Sequence, residues 1–202
     1  MKEKAVLIFG SFNPITNAHI NMAETSKKMI PDADIIFIPA KEDFLRSWKR
    51  FDDSSILKER VPLIKKVAAR FGYIVSEIET KGIVDGKTVN TISYLKEHEG
   101  YGTVYLCMGT DKINEIGTWY KGEELLRDNR FIILLRNEHS DDILKGPSAL
   151  YKDNFIFVKE ESSFMEISST AVRNYLNEGN IEAIKDLVPE EVYDLYSKEA
   201  HK

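Results

Sequence analysis

Short apolar runs recur along this chain, and longer amphipathic stretches separate them. The runs are Ala5–Gly10, Asp34–Pro39, Tyr73–Glu79, Val104–Gly109, Phe131–Arg136 and Phe155–Lys159. They are rich in Ile, Val, Phe and Tyr, and several lack the polar alternation of a strand with one wet face. Strands covered on both faces read this way. Between them the period changes. Within Ser55–Phe71 the residues Ile56, Leu57, Arg60, Val61, Ile64, Val67 and Ala68 recur at helical spacing, behind a Ser54 or Ser55 cap. Further helices are expected over Asn17–Met29, Thr88–Glu97 and Tyr120–Leu126. This order implies right-handed crossovers and a parallel sheet, a doubly wound (Rossmann-like) α/β fold. In such sheets ligands bind beyond the carboxyl ends of the strands, near the switch in strand order. Functional residues are therefore sought just after strands.

Past Lys159 the strand pattern gives way to helices. Ala171–Glu178 stops at Gly179, a glycine placed as C′; Ile181–Lys185 is a short piece; Pro189 opens a last helix, Glu190–Ala200. A single domain is expected over 1–202, with an α/β core in 1–160 and a helical part in 161–202 packed on it.

Charge and cysteine content exclude some functions. The net charge of −5 argues against a nucleic-acid surface but not against a pocket for a small phosphorylated ligand, which needs only a few local cations. Cys107 is the single cysteine and lies inside an apolar run, so it reads as a buried thiol of a reduced, cytoplasmic protein. The run after the N-terminus is too short for a secretory signal, and no stretch approaches the roughly 18 apolar residues of a membrane span. No membrane partner is expected; a homo-oligomer is possible and not readable from the letters.

The first chemistry-bearing string follows strand one: Gly10-Ser11-Phe12-Asn13-Pro14-Ile15-Thr16-Asn17-Ala18-His19. Gly10 permits a tight turn and close approach of backbone to ligand. Thr16 or Asn17 can cap the next helix. His19 falls in its first turn, where backbone N–H groups and the helix dipole favour an anion. Thr16 and His19 are spaced to converge on one ligand. The plainer alternative is a strand–helix turn in which His19 merely packs. The second string is Ile167-Ser168-Ser169-Thr170-Ala171-Val172-Arg173. Here Ser169 or Thr170 can cap a helix, and Arg173 one turn in offers a guanidinium matched to phosphate oxygens. A third follows strand four: Met108-Gly109-Thr110-Asp111, then Thr118-Trp119-Tyr120. Asp111 can accept both hydroxyls of a ribose, and Trp119 can stack on a flat ring.

The first string resembles the nucleotidylyltransferase signature, glycine-x-phenylalanine-x-proline-x-(His or Thr)-x-x-His, with Thr16 where many members carry the first His and Ala18 where many carry Gly. The second resembles that superfamily's isoleucine-serine-serine-threonine-x-x-arginine signature. The third, with Gly86-Lys87-Thr88-Val89-Asn90-Thr91 and the tail from Arg173 through Leu187-Val188-Pro189 to Tyr196, resembles the nicotinate and nicotinamide mononucleotide adenylyltransferases.

The resemblance implies transfer of the adenylyl group of ATP to a pyridine mononucleotide. It implies that His19, Thr16 and Arg173 serve the transfer. Gly10, Ser11, Phe12, Gly109, Asp111, Ile167, Ser168 and Ser169 would hold ATP, with Ser168, Ser169 and Arg173 on its β- and γ-phosphates. Thr88 and Trp119 would meet the pyridine end. The acceptor phosphate would fall to a basic residue of Lys41–Arg50, with Lys49 favoured, or to Arg136. Mg²⁺ is expected to arrive on the triphosphate, since the chain offers no evident carboxylate cage. Nicotinate mononucleotide is favoured over nicotinamide mononucleotide as acceptor. The rivals are a phosphopantetheine adenylyltransferase and a non-catalytic nucleotide-sensing module.

Overall fold

A computed structural model describes residues 3–42, 54–135, 143–159, 162–164 and 166–200. Its strands are β1 (Lys4–Gly10), β2 (Asp34–Pro39), β3 (Ile74–Val75), β4 (Thr103–Gly109), β5 (Arg130–Leu135) and β6 (Phe155–Lys159). The helices are α1 (Asn17–Met29), α2 (Ser54–Arg70), α3 (Thr88–His98), α4 (Thr110–Ile113), α5 (Gly122–Asp128), α6 (Pro147–Leu150), α7 (Ser169–Asn177) and α8 (Glu190–Ala200).

The described strands form one six-stranded sheet in the order β3-β2-β1-β4-β5-β6, and every neighbouring pair is parallel. Strand order reverses between β1 and β4, so the crevice of a doubly wound sheet lies past Gly10 and Gly109. Alternate side chains of each strand feed two cores. On one face Val6, Ile8, Phe37, Cys107 and Ile132 meet Ala23 of α1 and Ile64 of α2; on the other Leu7, Ile36, Leu106 and Ile133 meet Leu95 of α3 and Leu125 of α5. Val172 of α7 and Val192 of α8 belong to the first of these clusters, so the C-terminal helices share the core of β1 and α1. Among the described residues no helix is long and apolar enough to cross a membrane.

Three expectations need correcting. The third strand was expected over Tyr73–Glu79 but pairs only through Ile74 and Val75. Beyond them Glu77 and Glu79 find partners outside the sheet: Glu77 meets Lys65 and Lys81, and Glu79 turns inward to Thr91. The helix expected from Tyr120 begins at Gly122 instead. Lys121 before it is left-handed at φ +53, and a Cβ on Gly122 would stand 2.0 Å from the Ile116 carbonyl oxygen. Finally α7 is capped by Ser168, whose Oγ accepts the Ala171 N–H at 3.1 Å, rather than by Ser169 or Thr170. The Ser169 hydroxyl donates instead to the Pro14 carbonyl. At its far end Gly179, at φ +71, closes a Schellman turn in which Asn180 N–H reaches the Tyr175 carbonyl at 2.9 Å.

Candidate active site

The loop after β1 is built around a buried ring. Phe12 adopts φ +44 and folds under the loop, 1% exposed, with its ring edge-on to Phe37 (5.5 Å) and to His19 (5.0 Å). A Cβ on Gly10 would lie 2.8 Å from that ring. Gly10 is thus required by the packing of Phe12 as well as by access for a ligand. Of the expected ATP-binding set, Phe12 is buried beneath the loop and does not line the cleft.

Thr16 caps α1, and His19 sits at the third helical position. The Thr16 N–H donates to His19 Nδ1 at 3.1 Å, and Thr16 Oγ1 lies 2.8 Å from the same nitrogen. A backbone amide has only a proton to give, so Nδ1 is an acceptor and the neutral ring carries its proton on Nε2. His19 lines the cleft. Thr16 does not converge with His19 on a common ligand, as its spacing suggested. It is fully buried and spends its hydroxyl orienting the imidazole.

The C-terminal string is stitched to the same loop. Ser169 Oγ donates to the Pro14 carbonyl at 2.8 Å; Arg173 donates through Nη1 to the Asn13 carbonyl at 2.7 Å and through Nη2 to Thr170 Oγ1 at 3.0 Å. Asn17 adds its N–H to the Leu187 carbonyl (2.9 Å) and its Nδ2 to the Asp186 carbonyl (3.0 Å). Burial pushes the Arg173 pKa below the ordinary arginine value. The guanidinium stays charged, and it lines the cleft.

These elements enclose a cleft of about 570 Å³ beyond the ends of β1 and β4. Gly10, Ser11, His19, Gly109 and Asp111 line it from the sheet side, and Ile167, Ser168, Ser169, Thr170 and Arg173 from the other. Two strings about 150 residues apart in sequence therefore face one space. Asp111 points into solvent at 71% side-chain exposure, 3.6 Å from Lys112, which also lines the cleft.

Thr88 and Trp119, expected at the pyridine end, are not part of this lining. Thr88 is the first residue of α3, and Trp119 is half-buried against the second core. Their neighbours touch: Lys87 Nζ stands 4.5 Å from the centroid of the Tyr120 ring. The segments 86–91 and 118–120 thus form one wall. Lys49 and Arg136 lie outside the described residues, and among those described no three His, Cys, Asp or Glu side chains gather as a metal cluster.

The Cytidylyltransferase-like family pattern matches residues 7–175, which takes in β1, the His19 loop and Arg173. The chain belongs to that family. Within it, a Clostridium botulinum (strain Kyoto / Type A2) protein named "Probable nicotinate-nucleotide adenylyltransferase" is 31% identical over 196 residues, covering 96% of this chain and 95% of its own. A Clostridium acetobutylicum protein of the same name is 29% identical over 202 residues, covering 98% of each. The solved Plasmodium falciparum nicotinic acid mononucleotide adenylyltransferase, complexed with NaAD, shares the fold at a TM-score of 0.66 and 24% identity over 98% of this chain and 96% of that one. The chain is a nucleotidyltransferase of the nicotinate/nicotinamide mononucleotide adenylyltransferase family.

Two side chains of this family member escaped the sequence reading of the site. Arg60 of α2 is 3% exposed and donates to the Ser11 carbonyl (Nη1, 2.7 Å) and the Ala40 carbonyl (Nη2, 2.7 Å). The signal was present: a charged residue standing in the apolar stripe of its helix. Glu79 is 4% exposed and accepts the hydroxyl of Thr91 in α3 at 2.8 Å. Burial raises its pKa to about 7, with the charge of Asp85 adding to the effect and the Thr91 hydrogen bond opposing it. Asp85 itself is held down at about 2 by Lys87, with help from Asn90.

Proposed function

We propose that the chain transfers the adenylyl group of ATP to nicotinate mononucleotide, yielding deamido-NAD and pyrophosphate. The observation that carries this reading is the His19 ring. Its Nδ1 is locked by Thr16, so Nε2–H serves as a donor in a cleft that Arg173 also lines. A phosphate oxygen of the mononucleotide attacks the α-phosphorus of ATP. The bond from that phosphorus to the bridging oxygen breaks, and the electron pair leaves with pyrophosphate. The attacking phosphate is already anionic, so no strong base and no covalent intermediate are required. What the site must do is hold two anions together and stabilise the charge that grows on the leaving group. His19 and Arg173 have the right donors for the second task. Ser168 and Ser169 at the start of α7 suit the outer phosphates, and Asp111 at the end of β4 suits a ribose.

Mg²⁺ would ride on the triphosphate with its waters. Asp111 is a single exposed carboxylate at the cleft, which fits an ion carried by phosphates rather than by a protein cage. The acceptor would lie along the 86–91 and 118–120 wall with its ring on Trp119. The names of the relatives favour nicotinate mononucleotide over nicotinamide mononucleotide.

The test is pyrophosphate release from Mg·ATP with the two mononucleotides in parallel. We expect release with nicotinate mononucleotide and a lower kcat/KM with nicotinamide mononucleotide. The opposite ratio would reassign the acceptor. Release with phosphopantetheine alone would move the chain to that reaction, and ATP binding without release in any well would leave a sensing module.

A further inference from the structure

Arg60 reaches the site from behind. Ser11 lines the cleft, and the guanidinium holds the Ser11 carbonyl from the protein side. The same guanidinium holds the Ala40 carbonyl just past β2, and the Ala40 N–H in turn donates to the Gly10 carbonyl at 2.9 Å. Three hydrogen bonds therefore close the ends of β1 and β2 into one frame. The loop on the first strand carries Ser11 and leads to His19. The segment on the second carries Lys41.

This is an expensive way to tie two carbonyls. Arg60 Nε is buried and makes no hydrogen bond, and among the described residues no carboxylate is paired with the guanidinium. Burial pushes its pKa below the ordinary arginine value, with the exposed Glu42 opposing only at longer range. A neutral amide could bond two carbonyls without the cost of desolvating a charge. What a neutral group cannot supply is a fixed positive charge one peptide unit behind a cleft suited to polyanions, where low dielectric lengthens its reach.

We propose that Arg60 is a positioning residue for nucleotidyl transfer. Its two-pronged grip sets the spacing of the donor loop and the segment after β2, and its buried charge is balanced by the phosphates of the bound nucleotide. The inference rests on the adenylyl-transfer reading for its turnover measurement, but its binding measurement stands apart.

The experiment compares wild type with Arg60→Lys, Arg60→Gln and Arg60→Met. Mg·ATP affinity is read by calorimetry, and kcat and KM are read with Mg·ATP and nicotinate mononucleotide. Each protein is first shown to be folded by circular dichroism and thermal melting. We expect Arg60→Met and Arg60→Gln to weaken Mg·ATP binding about tenfold and to lower kcat about 10- to 100-fold. Arg60→Lys should restore most of the ATP affinity, because the charge returns. It should not restore kcat, because one ammonium cannot fork across two carbonyls. Arg60→Gln binding Mg·ATP as wild type does would overturn the inference. If Arg60→Met and Arg60→Gln fail to fold, Arg60→Lys decides: wild-type kcat and affinity in that variant would reduce Arg60 to architecture and overturn the proposal. A wild type that binds Mg·ATP but turns over no acceptor would sink the adenylyl-transfer reading alone, and the affinity series would still judge Arg60. A wild type that binds no Mg·ATP would sink both.

Discussion

Around His19 the backbone is held from several directions. Arg173 and Ser169 take the carbonyls of Asn13 and Pro14, Arg60 takes that of Ser11, and Phe12 fills the space beneath. Around Thr88 the ties are different. The turn before α3 rests on Asp85 accepting from Lys87 N–H and Asn90 Nδ2, both at 3.0 Å and both exposed, and β3 contributes only two residues to the sheet. Behind that wall stands a buried acid, Glu79. The wall assigned to the nucleotide donor is rigid by construction. The wall assigned to the acceptor rests on an exposed Asp85–Lys87 pair and on the buried Glu79. A donor wall that must recognise repelling charges gains most from preorganisation, because fixed donors need no rearrangement as charge develops.

The sharpest way to break this contrast is His19→Ala. Loss of one donor to the leaving group is expected to cost about 10²–10³ in kcat. The KM for nicotinate mononucleotide should change little, since the acceptor wall is untouched. A large rise in that KM with kcat preserved would mean that His19 serves the acceptor and that the two walls are misassigned.

Glu79 tests the other side. Burial raises its pKa in the folded protein from the ordinary 4.5 to about 7. Between those values the folded state holds a proton that the unfolded chain has released. Glu79 is therefore no burden at low pH, and stability falls as pH rises from about 4.5, with the loss complete above about 7. The full effect is on the order of 3 kcal/mol, at roughly 1.4 kcal/mol per unit. Glu79→Gln keeps a hydrogen-bonding partner for Thr91 without the charge, and should flatten this dependence. Melting temperatures at pH 5 and pH 8 for both proteins decide the matter. Parallel profiles would show that Glu79 does not carry the dependence.

A smaller effect is expected from Gly10→Ala. The added methyl meets the Phe12 ring at 2.8 Å, so the ring must move, and overpacking of this kind costs about 1–3 kcal/mol. Phe12 touches His19, so kcat should fall along with Tm. Unchanged kcat in a destabilised protein would show that the His19 ring is held by Thr16 alone.

Much of this architecture was legible because its causes are local. β1, β2, β4 and β6 are uniform apolar runs, and α1 begins where Thr16 can cap it, so their limits are written in neighbouring letters. The third strand was overread because Glu77 and Glu79 look compatible with a strand until their partners are known, and those partners stand on α2, α3 and the next turn. The start of α5 depends on the lack of a side chain at Gly122, where a Cβ would stand 2.0 Å from the Ile116 carbonyl oxygen, and no local propensity encodes that. The same distinction holds in the site. His19 and Arg173 sit in strings whose residue types already spell an anion cradle. Arg60 acts on carbonyls 49 and 20 residues away, and a carbonyl has no letter of its own.

Thr16→Val asks how finely the donor wall is tuned. Valine nearly matches threonine in shape, and position 16 is fully buried, so the cap backbone should keep its course and its N–H should still reach His19 Nδ1. Only the hydroxyl at 2.8 Å is lost. One neutral hydrogen bond is worth about 0.5–1.5 kcal/mol, so kcat should fall roughly 2- to 10-fold with both KM values nearly unchanged. Nitrogen-15 chemical shifts of the His19 ring give an independent reading: the Nε2–H tautomer is expected in wild type and, through the remaining amide contact, in the variant. A wild-type ring found protonated on Nδ1 would remove the donor from the cleft and with it the role given to His19. A variant that keeps the tautomer but loses more than 10-fold in kcat would instead show that the Thr16 hydroxyl does more than orient the ring.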